Sequence, residues 1–281
     1  LASINIIFYF SFIYYISKDI FLKKKFDYVL LAQILIGSFL LIKFSRYREY
    51  GNDLIPLLVC LYFLIKILKE LDRSTNCKIT LINLALPFLA LMFVHKISYI
   101  FATFIFLVMI NYNNLKFFKF KKNYYILIFL LILFPWLLKN YLTTSCFAYP
   151  VEITCVSNNF FELSGLAKVS NAAWLSEIWA KGFIDHSNWQ NLDLNLYVSK
   201  FNWVSTWINN HFIKILEIMS PLFLLIILSS FGLFSNSKYF KRNNSKIKKK
   251  KNYIILLFLI TLGLFFWFYN APIFRYGAFY I

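Results

Sequence analysis

Glycine is scarce in this chain, with seven among 281 residues. No Walker A loop, no Gly-x-Gly-x-x-Gly turn, no His-Glu-x-x-His helix and no Gly-x-Ser-x-Gly elbow occurs. Soluble nucleotide-binding folds are excluded by that poverty, because their phosphate loops need backbone that only glycine supplies. Acidic residues are few as well: twelve Asp and Glu stand against thirty Lys and Arg, a formal net charge of +18. No Asp-Asp or Asp-Glu pair occurs. A basic balance raises nucleic acid as a partner, yet the lysines gather in short loops between apolar runs. No basic face with interleaved aromatics lies outside those runs, so no nucleic-acid partner is expected. Cysteines number four, and Cys146-x8-Cys155 without His or further Cys is no zinc pattern. No metal site and no cofactor is expected, with a divalent cation held by outer carboxylates left open.

What the chain has instead is apolar surface: 60% of its residues are hydrophobic and 21% aromatic. Apolar runs occupy 2–17, 28–43, 54–69, 79–94, 97–110, 124–138, 212–234 and 253–270. Such runs suit membrane helices, since lipid offers the backbone no hydrogen-bond partner. The expected fold class is an all-α membrane protein: a polytopic bundle of about 8 apolar helices with one extracytoplasmic loop domain of short helices. It divides into a transmembrane part at 1–139, a loop or cap at 140–211 and a second transmembrane part at 212–281. The chain begins at Leu1 and stops at Ile281 inside apolar runs, which reads as a fragment of a longer protein.

Loops 18–27, 66–78, 111–123 and 235–252 hold 20 of the 30 Lys and Arg. The positive-inside rule places all four in the cytoplasm. They alternate correctly if 79–110 is a helical hairpin with His95-Lys96 at its outer turn and Pro87 bending its first arm. The expected location is the bacterial inner (plasma) membrane, multi-pass. Residues 46–53, 95–96, 140–211 and 270–277 then share the extracytoplasmic face.

The long polar segment carries five of the seven tryptophans: Trp174, Trp179, Trp189, Trp203 and Trp207. Asn171 is placed to cap a short helix ending near Gly182, with Trp174 and Ile178 on one face. Two readings stay open for such helices: tryptophan seated at the membrane interface, or a small cap packed on itself.

Several constellations on that face could carry chemistry. Arg46-Tyr-Arg-Glu-Tyr-Gly-Asn-Asp53 is the densest charge cluster. Glu49 and Asp53 are candidate catalytic carboxylates, and Arg48 a phosphate ligand; a capping Asp53 and interface anchors explain the same residues. His95 is a candidate substrate contact and Lys96 a phosphate ligand, unless the pair is a plain polar turn. Lys139 and Arg275, at outer helix ends, are cations that with Lys96 could neutralise a lipid-linked phosphate. Taken alone, each is better explained as an interface anchor. Cys146 and Cys155 flank Tyr149-Pro150, and an oxidising compartment permits a disulfide between them.

Three stretches resemble the GT-C superfamily of integral-membrane glycosyltransferases. They are Leu86–Ser98, closing on His-Lys-Ile-Ser; Pro135-Trp136 with Lys139-Asn140 and Tyr149-Pro150; and Pro272-Ile-Phe-Arg-Tyr-Gly277. The resemblance implies sugar transfer from a polyprenyl-phosphate donor on the extracytoplasmic face. Its catalytic acid would fall to Asp53 or Glu49 and its phosphate contacts to Lys96 and Arg275. Tyr149 and Tyr276 would be substrate contacts. The expected partners are a polyprenyl-phosphate-linked sugar and the lipid bilayer. A polysaccharide polymerase or ligase shares this layout and is the alternative. A transporter is disfavoured, since no internal repeat occurs and Gln33 and Asn83 are isolated polar residues within apolar runs.

Overall fold

The computed structural model describes residues 2–22, 28–44, 54–72, 78–95, 124–149, 151–156, 166–182, 194–235, 246–270, 272–273 and 279. Their elements run α1 (Ala2–Leu22), α2 (Tyr28–Phe44), α3 (Leu54–Asp72), α4 (Lys78–His95) and α5 (Tyr124–Thr144). After a 3-10 turn at Glu152–Thr154 come α6 (Leu166–Ala180), α7 (Leu194–Val198) and a second 3-10 turn at Ser199–Phe201. The chain then continues through α8 (Val204–Trp207), a π-helical turn (Ile208–Phe212) and α9 (Ile213–Ser235), and ends with α10 (Lys246–Asn270). Among the described residues there is no strand; one antiparallel bridge pairs Cys146 with Cys155.

α3 is the helix the others enclose. Every residue from Leu54 to Leu61 is buried, as are Phe63, Ile65 and Ile67. An apolar stripe alone would leave one face out, so burial all round marks a central helix. α1, α2, α4 and α10 pack against it. α1 turns Tyr9, Phe12 and Ile16 inward, three and four residues apart as one helical face requires. The Tyr9 hydroxyl donates to the Leu40 carbonyl at 2.8 Å, tying α1 to α2. α4 sets Met92 Sδ 3.8 Å from Cys60 Sγ of α3, and α4 runs through Pro87.

The outer helices show the opposite character. α5 packs along α4, yet none of its residues is buried. α9 and α10 leave Phe223, Leu224, Ile227, Leu257, Phe258 and Phe265 exposed. Contiguous apolar faces of this kind suit lipid, where each helix satisfies its own backbone. Tyr124–Thr144, Val204–Leu228 and Tyr253–Asn270 are long and apolar enough to cross a membrane, and Val29–Ile42 and Ala85–His95 are shorter apolar helices. The chain is a helical membrane protein.

Four expectations are corrected. α1 continues to Leu22, beyond the apolar run, because Ser17 bonds back to the Ile13 carbonyl and Asp19 finds a cation on α3. The lysine run Lys248–Lys251 is helical, within the first turns of α10. Asn171 caps nothing, since α6 begins at Leu166 and Asn171 lies inside it. The apolar run expected from Phe212 is the later part of a helical stretch that starts at Val204. The second arm of the expected hairpin, 97–110, lies outside the described residues.

Candidate functional site

The described part of the polar segment gathers where α6 ends against the π-helical turn and α10. α6 closes on Lys181-Gly182. Gly182 has φ +97°, and a Cβ there would stand 2.9 Å from the Trp207 Cα, so only glycine fits without strain. Its carbonyl accepts from the Asn210 side-chain amide at 2.7 Å. The His211 ring bonds to the Trp179 backbone carbonyl, and among the described residues nothing meets the buried Nε2. Asn210 thus caps the Gly182 carbonyl, and His211 adds a second bond to the Trp179 carbonyl, which also accepts from the Gly182 N–H at 3.2 Å. π-Helical turns of the kind that carries them recur at functional sites.

Lys181 is the unusual residue of this junction. Its side chain is 3% exposed and forms an ion pair with Glu177, one turn earlier and 36% exposed. Its ammonium lies 5.4 Å from the Trp203 ring centre and 5.7 Å from that of Tyr269. A buried ammonium is tolerated only with partners, and here a carboxylate and two ring faces supply them. The Tyr197 hydroxyl donates to the Lys181 carbonyl at 2.9 Å, and burial pushes the Tyr197 phenol up.

Aromatic packing extends the site to the end of α10. Trp203 and Trp207 stand edge to face at 6.4 Å, and Phe268 sits 5.2 Å from the first and 5.1 Å from the second. The Trp207 indole donates to the Pro272 carbonyl at 2.6 Å, and that of Trp267 to the Ile273 carbonyl at 2.8 Å. Two indoles thereby hold the strand of chain that leads into Arg275-Tyr276. Trp203 and Trp207 are both buried, so they pack within the protein and are not seated in lipid.

A second polar feature lies at the far end of α5. Cys146 and Cys155 are joined in a disulfide. Phe147 N–H donates to the Thr154 carbonyl at 3.1 Å and Val156 N–H to the Ser145 carbonyl at 2.9 Å, closing a tight hairpin. Phe147 stacks on Tyr141 at 5.1 Å, and Tyr149 is exposed at the turn.

Of the sequence-derived candidates, the structure brings together Cys146 and Cys155, with Tyr149 between them. His95 is half-buried at the end of α4, and Lys139 is exposed on α5. Glu49, Arg48, Asp53, Lys96, Arg275 and Tyr276 lie outside the described residues. Among the described residues no group of three or more His, Cys, Asp or Glu comes together to hold a metal. Sequence reasoning passed over Glu177, Lys181 and His211. The i,i+4 spacing of Glu177 and Lys181 between tryptophans was the available signal.

No curated protein and no solved structure matches the chain. A family model covers all of it: the chain belongs, over residues 1–281, to the family described as Domain of unknown function (DUF8201).

Proposed function

We propose that this membrane protein is a glycosyltransferase that moves a sugar from a polyprenyl-phosphate donor to an acceptor hydroxyl, at the membrane face bearing residues 140–211. One observation carries the reading: an ion pair, Glu177–Lys181, set against Trp203 and Tyr269 in the aromatic cluster whose Trp207 bonds to Pro272. Tyr269, exposed at the edge of this cluster, offers a face that suits the apolar side of a sugar ring, and cations suit the phosphate that departs. In the proposed step a carboxylate takes the acceptor hydroxyl proton and the freed oxygen attacks the anomeric carbon. The bond from that carbon to the phosphate oxygen breaks, and polyprenyl phosphate leaves with both electrons. Asp53 or Glu49 is the proposed base. Lys96 and Arg275 are the proposed phosphate contacts, with Arg48 and Lys139 supporting. His95, Tyr149 and Tyr276 are the proposed sugar contacts. This site works on the extracytoplasmic side of the plasma membrane during envelope glycan assembly.

The test uses membranes carrying the full chain and a synthetic polyprenyl-phosphate-linked sugar. Release of polyprenyl phosphate above empty membranes is expected, with a loss of 100-fold or so on Arg275→Gln or Lys96→Gln. Release no greater than in empty membranes, or unchanged by either substitution, overturns the assignment.

A further inference from the structure

α3 is the most enclosed of the described helices, yet it carries two lysines, Lys66 and Lys69, one turn apart on the face toward α1. They meet α1 at its last turns. Lys69 pairs with Asp19 and also donates to the Tyr15 hydroxyl at 3.0 Å. Asp19 in turn accepts from the buried Gln33 amide of α2 at 2.8 Å. One lysine is thus neutralised and held by three helices.

Lys66 is held differently. Its ammonium lies 5.4 Å from the ring centres of both Tyr15 and Tyr62, and among the described residues no carboxylate pairs with it. The Tyr15 and Tyr62 hydroxyls also accept hydrogen bonds from this ammonium, which has three N–H donors to give. One donor remains for a further acceptor, and the two hydroxyls can turn their own hydrogens toward it. The side chain is only half-buried, so an acceptor from outside can reach it.

We propose that Lys66, with Lys69 and the hydroxyls of Tyr15 and Tyr62, binds the phosphate headgroup of an anionic phospholipid at this end of the bundle. Charge complementarity favours this occupant: among the described residues two ammonium groups face one carboxylate. The surroundings favour a lipid over a soluble anion. Phe21 and Leu22, in the same last turn of α1, are 88% and 69% exposed, as acyl-chain neighbours should be. The sequence continues from them into Lys23-Lys24-Lys25. Basic pockets between membrane helices are the recurring way proteins select anionic headgroups. A lysine that merely snorkels to water would show no such selection.

The experiment is native mass spectrometry of the full chain, purified in detergent and given equal amounts of phosphatidylglycerol and phosphatidylcholine. The expected result is retention of phosphatidylglycerol over phosphatidylcholine by about tenfold, falling to about twofold in Lys66→Gln, on the scale of one charge near the membrane. Lys66→Arg keeps the charge and is expected to keep the preference. Equal retention of the two lipids by the unaltered protein overturns the proposal. So does an undiminished preference in a folded Lys66→Gln protein. Displacement of phosphatidylglycerol by inorganic phosphate also overturns it, since the site would then be one for small anions. Where glutamine at 66 prevents folding, the lipid preference of the unaltered protein and the phosphate competition decide the matter.

Discussion

α3 and α5 are built from much the same residues and live in opposite surroundings. α3 reads Leu-Ile-Pro-Leu-Leu-Val-Cys-Leu-Tyr-Phe and is buried almost throughout; α5 reads Tyr-Tyr-Ile-Leu-Ile-Phe-Leu-Leu-Ile-Leu and has no buried residue. Apolar content alone separates membrane helices from soluble ones, but it does not tell a helix facing protein from one facing lipid. In a bilayer both solvents are apolar, so the sorting falls to close packing and to scattered polar bonds. α3 has such features: Cys60 against Met92, and Lys69 tied to Tyr15 and Asp19. The junction of α6 with α10 is a third environment, held by indole and amide hydrogen bonds around one buried cation.

The comparison is tested first by truncating one aromatic on each helix. Phe63→Ala empties a site that is 1% exposed and is expected to cost about 4 kcal/mol, whereas Phe134→Ala, at 65% exposed, should cost under about 0.5 kcal/mol. Thermal unfolding in detergent measures both, and equal shifts would mean that α5 is also enclosed. Next in size is Gly182→Ala at the junction, expected to cost about 3 kcal/mol from positive φ and from crowding against the Trp207 backbone. A neutral outcome would show that the end of α6 does not rest on Trp207.

Loss of the Cys146–Cys155 bond by a double Ser substitution should cost about 2 kcal/mol, the scale for closing a short loop. A reductant should lower the melting temperature of the parent by the same amount and leave the double variant unmoved. The smallest effect belongs to Tyr197→Phe, at about 1 kcal/mol for one hydrogen bond to the Lys181 carbonyl. Burial raises this phenol above its usual value near 10, so folding favours the neutral form. Its contribution is fully present below that pH and is lost as pH rises through the folded-state value. The parent should therefore lose stability faster than Tyr197→Phe in alkali; parallel curves would place Tyr197 in water.

The helices themselves were legible, because uncharged runs of fifteen or more residues have few alternatives to helix in lipid. Their ends were less so. The run at 212–234 gave no hint that the helix begins at Val204, since Asn209-Asn210-His211 reads as polar loop until the Asn210 and His211 side chains are seen bonding at the end of α6. Asn171 illustrates the converse: a residue fit for a cap is carried inside a helix when upstream residues also favour helix. Lys181 was illegible for another reason. A lone lysine after an apolar stretch normally marks an exit to water, and only the convergence of Trp203, Tyr269 and Glu177 from three places in the chain keeps it inside. Gln33 was readable as glue between helices, but its partner Asp19 lay in what looked like a loop.

The uninterrupted helical stretch from Val204 to Ser235 has a mechanical consequence. It forms a rod of roughly 45 Å at about 1.5 Å per residue. One end is bolted to the end of α6 and to Pro272, and the stretch is long and apolar enough to cross a bilayer. The π-helical turn adds a bulge without breaking the rod, whereas Pro221 inside α9 removes one backbone hydrogen bond and is a natural bend point. A tilt of the tryptophan-rich junction therefore swings the segment up to Pro221 as a lever, and the bend at Pro221 sets how much of it is felt at the opposite end of α9.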